Sequence, residues 1–471
     1  MNTPVSLRRV LKFRTVISTS TGLAFAAIGL LSCVQIASML GGDSSWIALT
    51  IAGLLAVLAA LCFSELNALY PSAAAVRQYM NEAFNENFSL IITFGYLLTV
   101  ILVIAADSYI VGSAITYAFG LPDWASPIWI LALLGLAMGA NLRGIKIAGL
   151  LQDITTYALL VFVISISLIA LSQHGFQLRM PFDALNHPDA LISAVAIGVF
   201  VFSGFEWVTP LSEEIADIRL IPRGMFVALG LLLIAYGLFT EAASNLLPVH
   251  TPAVANSPVP QMLLGKAALG QVGIWLMLIT TLFTAVMTFN GGFATASRFL
   301  YAAAREDTLP PLFARLSIRY AVPSVAVIAL TVSSAIIALL VFLTRQFQIL
   351  ILVGAVLEAV IYVAAGLCVL RLRRRKPDAE RTFRIKGGAL IPLLSILVFG
   401  LLGVAAALAP GTPGLMIGAP LIVTLAIFLV SALYVLLVVP RLRATAAARR
   451  AATRRRRPGR ETSGEEVTPG L

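Results

Sequence analysis

Charge is what this sequence has least of. Only 12% of its 471 residues are Asp, Glu, Lys or Arg, against 59% hydrophobic, where a soluble domain carries roughly 25% charged residues. So little polar surface excludes a water-soluble globule and leaves lipid as the place for the apolar surface. Cysteine and histidine are equally scarce. The three cysteines (Cys33, Cys62, Cys368) all fall inside apolar runs, so no disulfide framework is expected. The three histidines (His174, His187, His250) fall between such runs. No His or Cys cluster at membrane depth therefore offers ligands to a metal-dependent intramembrane enzyme. Lys and Arg are missing from the depth of every run, with Arg298 standing only at an edge.

What is present is a succession of apolar stretches near the ~20 residues that cross a hydrocarbon core. Twelve spans can be drawn, over 15–40, 46–69, 90–119, 126–140, 150–171, 190–211, 225–247, 272–297, 323–343, 348–370, 388–409 and 415–439. The first is too long for the apolar region of a cleaved signal, and no A-x-A-like site follows it. With the N-terminus placed inside and the chain alternating, 30 of the 33 basic residues lie on the inner side; Arg179, Lys266 and Arg345 are the exceptions. That asymmetry is the positive-inside pattern. It predicts a multi-pass protein of the cell inner (plasma) membrane with both termini cytoplasmic. The net charge of +11 is then an orientation signal and gives no reason to expect nucleic acid.

The expected organisation is a cytoplasmic N-terminus (1–14), a ten-helix core (15–370), a basic cytoplasmic loop (371–387), two further spans (388–440) and an Arg-rich disordered tail (441–471) in reach of anionic membrane lipid.

Acidic residues at membrane depth are costly and mark pathways or sites. Glu65, Asp153 and Glu241 fall near span ends. Asp107 and Glu358 fall near the middle of the third and tenth spans, and Glu206 in the inner half of the sixth. With no deep cation in the sequence, their charge must be met by a proton, a metal cation, a cationic part of a substrate, or water. The sixth span is also broken by its own residues, Ser203-Gly204-Phe205-Glu206 with Pro210 after them. Such interruptions are tolerated only where freed backbone groups face protein or a wet cavity. The first span carries a comparable polar stretch, Ser18-Thr19-Ser20-Thr21-Gly22. Two interrupted spans, each opening a block of five, are the pattern of an inverted-repeat carrier. The reading is therefore all-α, with five-plus-five inverted repeats and two C-terminal helices. A channel would instead favour rings of like residues in a symmetric oligomer.

Five stretches carry a likeness to a known family: Phe63 to Ala75; Asn141 to Gly144; Gly204-Phe205-Glu206 with Glu213-Glu214 and Ile221-Pro222-Arg223; Ser297 to Arg305 with Leu309-Pro310; and Arg375 to Arg384. In this order they make the chain resemble the amino acid–polyamine–organocation superfamily, the bacterial amino acid permeases. The resemblance implies a leucine-transporter-like secondary carrier working by alternating access on amino acids or related amines. A polyamine or cationic amino acid transporter or antiporter is the alternative. By position it implies that Ser20, Thr21 and Gly22 hold a substrate carboxylate, that Phe200 lids the pocket, and that Ser203, Gly204 and Phe205 form the second unwound stretch. Asp107 would line the pocket, and Glu206 would serve in coupling, as would the deep Glu358. No cofactor is implied beyond a coupling ion, H+ or Na+. A lysine that some proton-coupled members carry in the fifth span is replaced here by Leu159.

Overall fold

Lipid offers no partner to a peptide N–H or C=O, so an apolar run that enters it must satisfy its own backbone as a helix. The computed structural model describes residues 11–40, 42, 45–72, 74–143, 146–174, 188–212, 215–317, 320, 322–409 and 418–455. Regular structure among them is helical, apart from one isolated bridge between Leu11 and Ile215. In chain order the helices are α1 (Phe13–Ala24), α2 (Ala27–Met39), α3 (Ser45–Leu69), the short α4 (Ala75–Ala83), α5 (Glu86–Ala118), α6 (Ser126–Leu142), α7 (Lys146–His174) and α8 (Pro188–Phe202). After a 3₁₀ segment (Phe205–Leu211) come α9 (Leu220–Leu246), α10 (Pro260–Arg305), α11 (Ser324–Thr344), α12 (Phe347–Arg375), α13 (Leu390–Leu408) and α14 (Ala419–Leu433). A π turn (Tyr434–Val438) then leads into α15 (Val439–Arg455). Among the described residues eleven helices are long and apolar enough to span, and the α1/α2 pair, bent by 55°, makes a twelfth if taken as one span.

Burial separates the spans by role. The apolar window of α12 is 83% enclosed, whereas that of the last span is 17% enclosed. Thus α12 is part of the core and α14 faces lipid. Helix α10 runs 46 residues and bends at Leu269–Gly270, where Gly270 takes φ 59°, a conformation glycine adopts without cost.

Two expectations are corrected. The polar stretch of the first span does not break it: Ser18 to Gly22 are helical, and the break falls at Phe25–Ala26. The Ser18 hydroxyl is taken up by Asp153 of α7, and the backbone bonds of α1 run on through Gly22. Gly22 serves packing: a methyl there would run into Gln152 Nε2 and sit 2.9 Å from Thr156 Oγ1. The tail is also not disordered as far as Arg455. Residues 439–455 form α15, rich in alanine and arginine, both strong helix formers. Arg443 pairs with Glu86, and Arg450 pairs with Asp307 at 2.6 Å. Residues 456–471, Gly144 and Glu213-Glu214 lie outside the described residues.

One end of the bundle carries most of the arginines, and two of the span-end acids find partners there. Glu65 is held by Arg373 at 2.5 Å and Arg381 at 3.6 Å, and accepts from the Ile385 amide at 2.9 Å. Asp153 pairs with Arg14 at 3.3 Å. On the same face, the Lys376 ammonium 2.8 Å from Glu82 holds that carboxyl below the usual carboxylate range.

Candidate functional site

The sixth span breaks where its sequence says it must. Helix α8 stops at Phe202, Gly204 takes φ 110°, and the chain resumes as a 3₁₀ segment containing Pro210. At the other break, Phe25 and Ala26 leave helical geometry and α2 starts at Ala27. Both breaks open onto one cavity of ≈ 50 Å³, space for about four waters at the ~10–15 Å³ each requires. Its wall takes Ala24, Ala26, Ile28 and Gly29 from the first break, Phe200, Ser203, Gly204 and Trp207 from the second, Thr99 and Val100 from α5, Thr288 from α10 and Glu358 from α12.

Of the residues expected from the sequence, Phe200, Ser203, Gly204 and Glu358 line this cavity. Ser20, Thr21 and Gly22 stand one turn earlier, in the last turns of α1. The two hydroxyls there are buried without a partner among the described residues. Phe205 is fully buried behind the break against Tyr362, ring centroids 6.1 Å apart. Asp107, wholly buried, lies behind α2: its two oxygens accept from the Ala27 amide at 3.2 Å and the Ile28 amide at 2.9 Å. This carboxylate caps α2 from a neighbouring helix, satisfying two of the N–H groups a helix start leaves unpaired.

Glu206, also wholly buried, sits just past the second break. Tyr96 donates to its Oε1 at 2.9 Å, and the Gly204 amide donates to its Oε2 at 3.1 Å. The Tyr362 hydroxyl stands 3.4 Å from both Glu206 Oε2 and Ser203 Oγ. Glu358, one helical turn before Tyr362, lines the cavity, and its Oε1 is buried without a partner among the described residues. No Lys or Arg pairs with Asp107, Glu206 or Glu358 among the described residues.

A second, larger cavity of ≈ 460 Å³ runs toward the arginine-rich end, lined by Arg77, Tyr96, Asn141, Trp207, Arg298 and Tyr301 among others. Trp207 belongs to both linings and stacks on Tyr96 with ring centroids 4.4 Å apart at 24°. The stacked pair is thus the partition between cavity and vestibule. Trp207, Tyr96, Tyr362, Thr99 and Thr288 were not anticipated. Trp207 adjoins Glu206 in sequence and Tyr362 lies four residues after Glu358, so both carried a local signal. Tyr96, Thr99 and Thr288 carried none.

Comparison with known proteins fits this geometry. The sequence profile of the amino acid permease family matches residues 11–433. The chain belongs to that family. This permease is 24% identical over 367 residues to the large neutral amino acids transporter small subunit 2 of Oryctolagus cuniculus, covering 75% of this chain and 67% of that one. It is 26% identical over 357 residues to the Asc-type amino acid transporter 1 of Homo sapiens, covering 73% and 66%. An uncharacterized amino acid permease of Bacillus subtilis (strain 168) is 24% identical over 283 residues, 59% and 64% of the two chains. The permease thus spans about two thirds of the length of these relatives. Among solved structures, a manganese transporter of Eremococcus coleocola superposes with a TM-score of 0.60 at 13% identity, over 93% of this chain and 98% of that one. That likeness concerns the fold alone. Among the described residues no group of three or more His, Cys, Asp or Glu side chains is placed to hold a metal ion. The permease is a multi-pass membrane transporter, not an enzyme.

Proposed function

We propose that this permease is a secondary carrier that moves amino acids or related amines with apolar side chains by alternating access, binding them in the cavity between the two helix breaks. The observation that carries the reading is that both breaks, far apart in sequence, open onto the same cavity. Breaks cost backbone hydrogen bonds, and a membrane protein keeps them where backbone groups meet a ligand. The wall around Ala24, Ala26, Gly29, Val100 and Phe200 suits an aliphatic or aromatic body, in keeping with the names of the relatives.

The arginine-rich end is the cytoplasmic one by the positive-inside rule. This supports the reading that both termini lie inside, in a protein of the plasma (inner) membrane. The vestibule then reaches toward the cytoplasm, with the Tyr96–Trp207 stack closed across its upper end. Coupling falls to Glu206, since Leu159 replaces the fifth-span lysine. A proton there removes the cost of carrying a bare carboxylate through a closed, low-dielectric state. Sodium is the competing ion.

Uptake of radiolabelled amino acids and amines into proteoliposomes, with and without imposed proton and sodium gradients, tests the proposal. Accumulation against a gradient is expected. Passive, non-saturable flux would mean a channel.

A further inference from the structure

The vestibule beyond the Tyr96–Trp207 stack has the size of an organic-ligand site: ≈ 460 Å³, within the ~300–1,000 Å³ usual for small-molecule pockets. Its charge is of one sign. Arg77 of α4 and Arg298 and Arg305 of α10 line it, and no Asp or Glu does so among the described residues. Arg298 and Arg305 stand two turns apart on one face of α10, with Tyr301 between them.

The arginines are not equally committed. Arg77 is 8% exposed and pairs with Glu306 and, at 3.8 Å, with Glu86. Arg305 has no carboxylate partner among the described residues; its guanidinium lies over the Tyr301 ring, 5.8 Å from the centroid. A ring face attracts the charge but leaves the in-plane N–H fork free, and that fork matches a carboxylate two bonds at a time. Around it the wall is largely apolar, with Leu97 of α5, Phe299 of α10 and Val327 of α11. A small inorganic anion would leave that apolar wall uncovered. A free amino acid would bring an ammonium beside the arginines with no acid in the wall to receive it.

We propose that the vestibule is a second ligand site, for a monocarboxylate with an apolar aryl or aliphatic body and no ammonium, its carboxylate held by Arg305 and its body against Phe299 and Leu97. The occupant lies between the Tyr96–Trp207 partition and the arginine-rich end, so it obstructs the passage and inhibits transport from that side. Acids of this class are what deamination of an apolar amino acid leaves. The effect on transport rests on the carrier reading; the binding does not.

The test uses 3-phenylpropanoate, with inorganic phosphate and decanoate as controls for bare charge and for a lipid-derived anion. Each is titrated calorimetrically into the purified full-length protein. Binding of 3-phenylpropanoate is expected to weaken as salt is raised, and to weaken roughly tenfold or more in R305Q, with an unchanged thermal midpoint for the protein. R305K, which keeps the charge but loses the fork, should fall between. Location is read separately: a Thr295→Cys thiol in the vestibule wall should react more slowly with an impermeant reagent when 3-phenylpropanoate is present. Absence of binding, affinity unchanged in R305Q, or no protection of that thiol overturns the proposal. Equal binding of phosphate, or binding of decanoate alone, overturns it too, by showing a bare charge effect or a lipid anion. Failure of the carrier reading looks different: 3-phenylpropanoate binds and protects, while no amino acid or amine is taken up into proteoliposomes.

Discussion

Tyr96 holds Glu206 and Trp207 at once: its hydroxyl donates to Glu206 Oε1 at 2.9 Å while its ring lies against the Trp207 indole, 4.4 Å between centroids. One side chain of α5 thereby ties the buried acid of the second break to the partition below the cavity. Removing the indole tests the partition. A cysteine placed at Thr288, in the cavity wall, is expected to resist an impermeant thiol reagent added to the arginine-rich side. In a Trp207→Ala background it should label readily. The native cysteines are all buried and give a low background. Equal labelling in both backgrounds would show that Trp207 does not separate the two spaces.

Glu206→Gln removes the exchangeable proton but keeps size and an acceptor for Tyr96. Uptake measured against external pH should lose its pH dependence, while substrate exchange partly survives. A mutant that keeps the wild-type profile returns Glu206 to a structural role. A sodium requirement in both proteins would name a different coupling ion.

Glu65 is the only acid joined to Arg381 among the described residues, and that arginine's side chain is 3% exposed. Glu65→Gln leaves a buried guanidinium without a counter-charge, a change that costs about 3–5 kcal/mol. A clearly lowered thermal midpoint in detergent is expected, with the loop after α12 becoming open to protease. Replacing Glu65 and Arg373 together should cost less than the single-site losses added.

Asp107→Ala strips the cap from α2. Loss of such a cap costs about 0.5–2 kcal/mol, so the protein should fold, with faster hydrogen exchange at Ala27 and Ile28. Asp107→Asn, which keeps one good acceptor, should lie between the two. Unchanged exchange at these amides in the alanine variant would refute the capping role.

Topology is checked by single cysteines at Pro252, beyond α9, and Asp378, in the arginine-rich loop; both positions are exposed. With the arginine-rich end cytoplasmic, Pro252→Cys labels in intact cells and Asp378→Cys only after permeabilisation. The reverse pattern inverts the proposed orientation.

The membrane class, the run of spans and the broken sixth helix were legible in the sequence because each rests on a local property. Apolar runs need lipid, and Gly204 with Pro210 cannot sustain a straight helix whatever surrounds them. The first break was misplaced for an equally physical reason. Ser18 to Gly22 keep helical backbone geometry although they are polar or small, and the actual break at Phe25–Ala26 carries no Gly or Pro. Its cap comes from Asp107, 80 positions away. The same separation hid the site's wiring: Tyr96 meets Glu206 across 110 positions and Arg373 meets Glu65 across 308. Which residues are acidic and deep was written in the chain. Which acid caps a helix, which one binds an arginine and which one lines the cavity was decided only by packing, because a buried charge is defined by its neighbours in space.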